Sequence, residues 1–212
     1  MNNKFLLSIA FLIGSLFSYA QTDINFEKNQ SKINLVFVPK LGYAKMTQTS
    51  QPKLNGFVNG GDVLVAFKLN KSSSLSTGVG YFEFDANTTF DGNSASINNT
   101  YLHIPINYVS NFSVFRSKGA NETVFLAATL GLYANSLLKQ DFETATDNFT
   151  DKNLGWNFGF STYVGLKFIA SDLMTLGIGL ETNNDFTKIE KDGLKQKLDL
   201  TTLNINIAFR LK

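Results

Sequence analysis

Trp156-Asn157-Phe158-Gly159-Phe160-Ser161-Thr162-Tyr163-Val164-Gly165-Leu166-Lys167-Phe168 is the stretch that decides the fold. Its even positions are Trp, Phe, Phe, Thr, Val, Leu and Phe. Its odd positions are Asn, Gly, Ser, Tyr, Gly and Lys. A period of two means a strand with one apolar face and one polar face. The same alternation recurs along the chain. Leu203, Ile205, Ile207, Phe209 and Leu211 alternate with Thr202, Asn204, Asn206, Ala208 and Arg210. Leu102, Ile104, Ile106 and Tyr108 alternate with Tyr101, His103, Pro105 and Asn107. Similar runs surround Val63–Leu69, Leu75–Tyr81, Val124–Ala134 and Leu176–Leu180. A first strand near Ile33–Lys45 alternates poorly and is placed by position.

Eight strands result, predicted at 33–45, 57–69, 74–85, 97–112, 123–138, 154–170, 172–184 and 197–211. Most exceed the ~9–11 residues a tilted strand needs to cross a bilayer. The connections 46–56, 86–96, 139–153 and 185–196 read as long polar loops. Those after the second and sixth strands read as short turns, and the one near 113–122 is intermediate. Long connections alternating with short ones predict an all-β, eight-stranded, antiparallel up-and-down transmembrane β-barrel.

Composition agrees. The 212 residues include 20 Phe, 7 Tyr and 16 Gly, with only 17% charged residues and a formal net charge of +2. With no cysteine, disulfides, thiolate metal sites and a lipoprotein anchor are excluded. One histidine excludes the common multi-histidine metal sites. The balanced charge argues against nucleic acid as a partner.

Residues 1–20 read as a cleaved signal peptide: Lys4, an apolar run from Phe5 to Phe17, and Ser18-Tyr19-Ala20 before Gln21. Residues 21–32 then form a periplasmic lead and 33–212 the outer-membrane barrel domain. The glycine-bearing face, with Lys40, Asp62, Lys68, Lys167, Glu181 and Arg210, is predicted to fill a narrow interior where charges pair. The apolar face is predicted to meet lipid. A soluble lipocalin-like barrel would reverse the two faces.

Tyr101-Leu102-His103-Ile104-Pro105-Ile106 resembles the Tyr-Leu-x-Ile-Pro strand of the PorT-like outer-membrane β-barrel family of Bacteroidetes. Gly56-Phe57, Ala127–Tyr133 and Gly165-Leu166-Lys167-Phe168 are similar to other segments of that family. The likeness runs over about residues 33–212. It departs at His103, where the family often has Glu, and at the Ala208-Phe209-Arg210-Leu211-Lys212 end. The resemblance implies an integral outer-membrane barrel but no one activity, although the family's namesake is tied to protein secretion. The function expected is non-enzymatic, a structural or accessory component of a secretion or uptake machine. A small channel is the alternative within the membrane. The expected partners are outer-membrane lipid, lipopolysaccharide and other envelope proteins, with no cofactor.

No catalytic, cofactor-binding or metal site is predicted. His103 would need a hydroxyl nucleophile or activated water and an orienting acid to act as a general base; the plainer reading is an interior filler. Pro105 lacks an N–H and should mark a bulge or local break. Asp141, Glu143, Asp147 and Asp151 lack calcium-loop order and read as a solvated acidic loop. Asn111-Phe112-Ser113 and Asn148-Phe149-Thr150 would be glycosylated only in a eukaryotic secretory pathway. Phe90, Phe142, Phe149 and Phe186, scattered on the polar connections, would either anchor a partner or pack the loops together.

Overall fold

The alternating segments pair into one antiparallel sheet that closes on itself. The computed structural model describes residues 32–49, 53–90, 93–115, 124–144, 146–191 and 194–211. Its strands are β1 (Ile33–Gln48), β2 (Leu54–Lys68), β3 (Ser73–Phe90), β4 (Asn93–Phe115), β5 (Val124–Thr144), β6 (Asn148–Ile169), β7 (Met174–Asp185), β8 (Ile189–Lys191) and β9 (Leu194–Arg210). Neighbours in sequence pair from β1 to β7; β9 then joins β7 to β1 and closes the ring. β8 has three residues and folds back on β9. The wall is therefore the expected up-and-down barrel of eight long strands. The signal-peptide reading, nearly all of the lead and most of the 113–122 connection lie outside the described residues.

The outward face carries a continuous apolar band. On β1 it runs from Ile33 through Phe37 and Leu41 to Tyr43, all exposed. That span matches the ~9–11 residues a tilted strand needs to cross hydrocarbon. Aromatics mark both edges, where their flat, half-polar rings suit a lipid–water interface. Phe37 meets Phe209 edge to face at 6.1 Å near the end where β1 begins, called here the terminal end. Tyr43 meets Phe57 at 5.9 Å toward the far end. Trp156 is half exposed near that same edge.

Beyond the far edge of the band the two faces exchange character. Along β9 the inward positions Asn204 and Thr202 give way to Leu200 and Leu198; the outward Ile205 and Leu203 give way to Thr201, Asp199 and Lys197. On β3 the inward Gly78 and Gly80 are followed by Phe82, Phe84 and Ala86, and the outward Val79 and Tyr81 by Glu83 and Asp85. On β1 Lys40 and Gly42 give way to Ala44 and Met46. The lower wall is apolar outside and the upper wall apolar inside. Each choice places apolar side chains away from water, which lies inside the wall at one level and outside it at the other.

This inversion corrects the reading of the connections. Residues 86–96 and 139–153 are mostly strand, since β3 ends at Phe90, β5 at Thr144 and β6 begins at Asn148. β1 and β2 likewise take up parts of 46–56, and β8 with the start of β9 takes up parts of 185–196. Their polar outward residues resembled loop because they stand in water beyond the band. At the terminal end Ser171 does not turn the chain alone: Ala170–Leu173 separates β6 from β7. β1 does alternate. It looked irregular because Val36 and Val38 also face inward.

Two bulges sit where the faces exchange. β4 and β5 slip register between Thr100 and Tyr101, and β5 and β6 between Leu137 and Lys139. Leu138 is the extra residue against β4, so inward positions on β5 change from odd (Leu137) to even (Phe142), and against β6 it stands opposite two residues, Asn153 and Leu154. Beside it Asn153 has φ 55° and Gly155 φ 123°. Pro105 causes no bulge. The β3–β4 register is the same on both sides of it, with the ladder interrupted between Thr77–Ile106 and Gly80–His103. Thr77 donates its hydroxyl to the Pro105 carbonyl at 2.8 Å.

Candidate functional site in the barrel interior

Three layers fill the interior. The far layer is an apolar core that includes Met46, Phe84, Tyr101, Leu137, Leu154, Ile189 and Leu198, all at most 5% exposed. Burying each large side chain contributes about 1.5–3 kcal/mol. Phe142 packs against this core, whereas Phe149 and Phe186 are each 61% exposed. The four loop aromatics thus divide: Phe142 packs, Phe149 and Phe186 stand exposed, and the Phe90 side chain lies outside the described residues.

The middle layer is polar, and its charges are paired. Lys40 Nζ lies 2.7 Å from Asp62 and 2.8 Å from Glu181, all deep in the wall. Asn204 donates to the other Glu181 oxygen at 2.6 Å and accepts from the Thr202 hydroxyl at 2.8 Å. β1, β2, β7 and β9 supply these residues, which one inward parity brings together. Gly80 leaves the space that the Asp62 carboxylate occupies. Near them Asp185 accepts from the Tyr133 hydroxyl at 2.8 Å, from the Leu198 N–H at 2.7 Å and from Asn157. Gly159 makes room for the Tyr133 ring.

His103 belongs to this layer. It is 2% exposed. Its Nδ1 lies 2.6 Å from Asn135 Oδ1, and its ring meets Tyr133 at 5.2 Å and Phe82 at 6.0 Å. The structure therefore places His103 inside the barrel, as the sequence predicted. The acidic residues do not form a loop site. Asp141 sits on β5, 2.5 Å from Lys139, and accepts from the Thr150 hydroxyl at 2.7 Å. These two donors hold the Asp141 carboxyl below its ordinary range. Among the described residues no group of acidic and histidine side chains could hold a metal ion.

Among the described residues the layer at the terminal end surrounds a cavity. It has a volume of about 200 Å³ and is lined by Lys68, Lys71, Lys167 and Arg210 among other residues. Of the six charges placed inside by sequence, Lys40, Asp62 and Glu181 join in one cluster, while Lys68, Lys167 and Arg210 line this cavity. Sequence reading missed Asp185, assigned to a loop. Extending the inward parity Glu181, Asn183, Asp185 would have found it.

A closed, up-and-down barrel with an outward apolar band defines the architecture of outer-membrane β-barrels. No family model and no curated protein matches the chain. Solved structures do. Neisserial surface protein A is similar over 87% of this chain and all of its own, at 12% identity and a TM-score of 0.54. The outer-membrane protein OprG of Pseudomonas aeruginosa covers 88% of this chain and 99% of its own, at 8% identity and a TM-score of 0.45. The outer-membrane protease OmpT of Escherichia coli covers 90% and 99%, at 7% identity and a TM-score of 0.37.

Proposed function

We propose that the protein is an integral outer-membrane barrel with its chain termini on the periplasmic side, and that it is a non-catalytic, structural or accessory part of an envelope machine for secretion or uptake. The observation that carries this reading is the exchange of faces at one level of the wall. A soluble barrel would keep apolar residues inside along its whole length. Here a lipid-facing segment is followed by a water-facing segment with its own core. That core supports a non-conducting role, because it fills the bore with packed side chains. Phe149 and Phe186, exposed on the water-facing segment, support recognition of another protein there. The Tyr101–Ile106 resemblance to the PorT-like family supports the link to a secretion machine.

Cell fractionation tests the location: the protein should stay with outer membranes through carbonate extraction, and release into the soluble fraction would overturn the reading. Purified protein should give no steady conductance in planar bilayers; reproducible channel steps would favour a pore. Purification in mild detergent should bring down envelope proteins that Phe149→Ser and Phe186→Ser variants lose.

A further inference from the structure

β6 outruns its neighbour on one side. It pairs with β5 as far as Asn148, opposite Glu143. With β7 it pairs only from Gly159, opposite Asp185, toward the terminal end. The β7–β9 ladder likewise stops at Asn184 and Asp199. The chain then crosses beside β6. The N–H groups of Phe186 and Thr187 donate to the Phe158 carbonyl at 2.9 and 3.2 Å, and the Phe158 N–H donates to the Thr187 hydroxyl oxygen at 2.7 Å. Beyond that point β8 pairs with β9 alone. Residues two apart on a strand point their backbone groups to the same side, so Trp156 presents its N–H and C=O to the same seam as Phe158. Among the described residues no ladder joins Trp156 to β8.

Side chains hold what the ladder leaves unjoined. Ile189, 2% exposed, belongs to the same apolar core as Leu154 and Leu137. Its Cγ2 lies 3.6 Å from where a side chain on Gly155 would begin. Gly155 and Asn153, both at positive φ, carry β6 through the bulge at this level, and a bulge bends its strand out of line with a straight neighbour. At the root of the crossing Asp185 takes the place of the missing β7 backbone, because its carboxylate accepts the Leu198 N–H of β9 at 2.7 Å. It also accepts from Tyr133 and Asn157, so the strands on both sides of the seam are tied there. Away from the seam the wall is laddered. β5 holds β6, with Leu137 opposite Gly155, and β1 holds β9, with Gln48 opposite Gln196.

We infer that Phe186–Glu190 is a strap that swings away from β6 while the eight-stranded wall stays paired, uncovering the apolar core from the side. Opening releases the bonds to Phe158 and draws Ile189 out of the core, together with its pairing to Gln196. It also parts the exposed Glu190–Lys195 ion pair, which water screens and which therefore resists little. The β5–β6, β7–β9 and β1–β9 ladders are untouched. A unit held by few contacts opens at a lower free energy than the whole fold. Asp185 is the hinge, because the donors that hold its carboxylate stay with the wall. Leu154, buried on β6 next to Gly155, is uncovered when Ile189 leaves. The inference rests on the wall's hydrogen bonding and stands whether or not the barrel serves an envelope machine.

The test is thiol labelling of the full chain, which has no cysteine of its own. Ile189→Cys and Leu198→Cys each place one thiol at a position 2% exposed in the same core, the first on the strap and the second on the wall. The purified variants, folded in detergent and checked by heat-dependent gel mobility, are treated with a small maleimide. Ile189→Cys should label at least about tenfold faster than Leu198→Cys, with a weak dependence on urea below the unfolding transition, as for an opening that exposes little surface. Leu198→Cys should label with the steep urea dependence of whole-barrel unfolding. Thr187→Ala removes the acceptor of the Phe158 N–H. It should speed the labelling of Ile189→Cys about tenfold and leave that of Leu198→Cys unchanged. Equal rates at the two thiols, or equal acceleration of both by Thr187→Ala, would overturn the inference. Leu154→Cys, across the seam, carries the same comparison if Ile189→Cys fails to fold.

Discussion

Lys40 on β1 and Glu181 on β7 are separated by 141 residues in sequence and by 2.8 Å in space. Asp62 completes the cluster from the other side of Lys40, at 2.7 Å. One ammonium thus holds two carboxylates inside a barrel too narrow for much water. Such a cluster stabilises only while whole, because each member is a desolvated charge without the others.

Lys40→Met should therefore destabilise the barrel by about 3–5 kcal/mol, the cost of leaving buried charges uncompensated. Urea unfolding in detergent, followed by tryptophan fluorescence or gel mobility, measures this. Adding Asp62→Asn and Glu181→Gln to Lys40→Met should restore most of the loss. A single Lys40→Met variant as stable as the parent would show that the cluster does not contribute.

The exchange of faces predicts opposite tolerances at two levels. Leu130→Arg or Phe160→Arg puts a charge on the lipid face and should cost about 2–4 kcal/mol, enough to block assembly. Thr150→Arg, outward on the water-facing segment, should assemble normally, and Thr129→Ser within the wall should be tolerated. The yield of folded protein in outer membranes gives the comparison.

The far core should behave like the core of a soluble protein. Leu137 and Phe84 are fully buried. Leu137→Ala should cost about 2–5 kcal/mol and Phe84→Ala about 3–5 kcal/mol through lost burial and residual cavities. Denaturant midpoints of the assembled protein check this. Leu132→Ala, on the lipid face, should cost much less in detergent.

Asp141 gives a pH prediction outside the membrane. Hydrogen bonds from Lys139 and Thr150 favour its charged form, so its folded pKa lies below the unfolded value. The stabilisation is present above the unfolded pKa and fades as pH falls through the folded one. The effect on stability is small, since the pair is exposed and screened. Carbon NMR titration should place Asp141 below an ordinary aspartate, and Lys139→Gln should move it upward.

Topology is tested by labelling. Cysteine at Asp147 should react with an impermeant maleimide on intact cells, and cysteine at Ser72 or Ser171 should not. The reverse pattern would put the cavity on the outside and the apolar core in the periplasm.

Strand number, strand direction and the outward face were legible in residues such as Trp156–Phe168, because a period of two needs no knowledge of neighbours. Asn-rich and charged runs such as Ala86–Ser96 were not legible as strand. Local polarity alone does not say whether water lies inside or outside the wall at that level. Leu137 and Phe142 face the same core only because Leu138 is a bulge, and a bulge is set by pairing with β4 and β6. The chain's own alternation thus determined an up-and-down barrel with a lipid-facing band. Closure of the ring decided the rest, since it alone brings β1, β2, β7 and β9 together. It therefore chose which interior charges would pair, as Lys40, Asp62 and Glu181 do, and which would line the cavity at the terminal end, as Lys167 and Arg210 do.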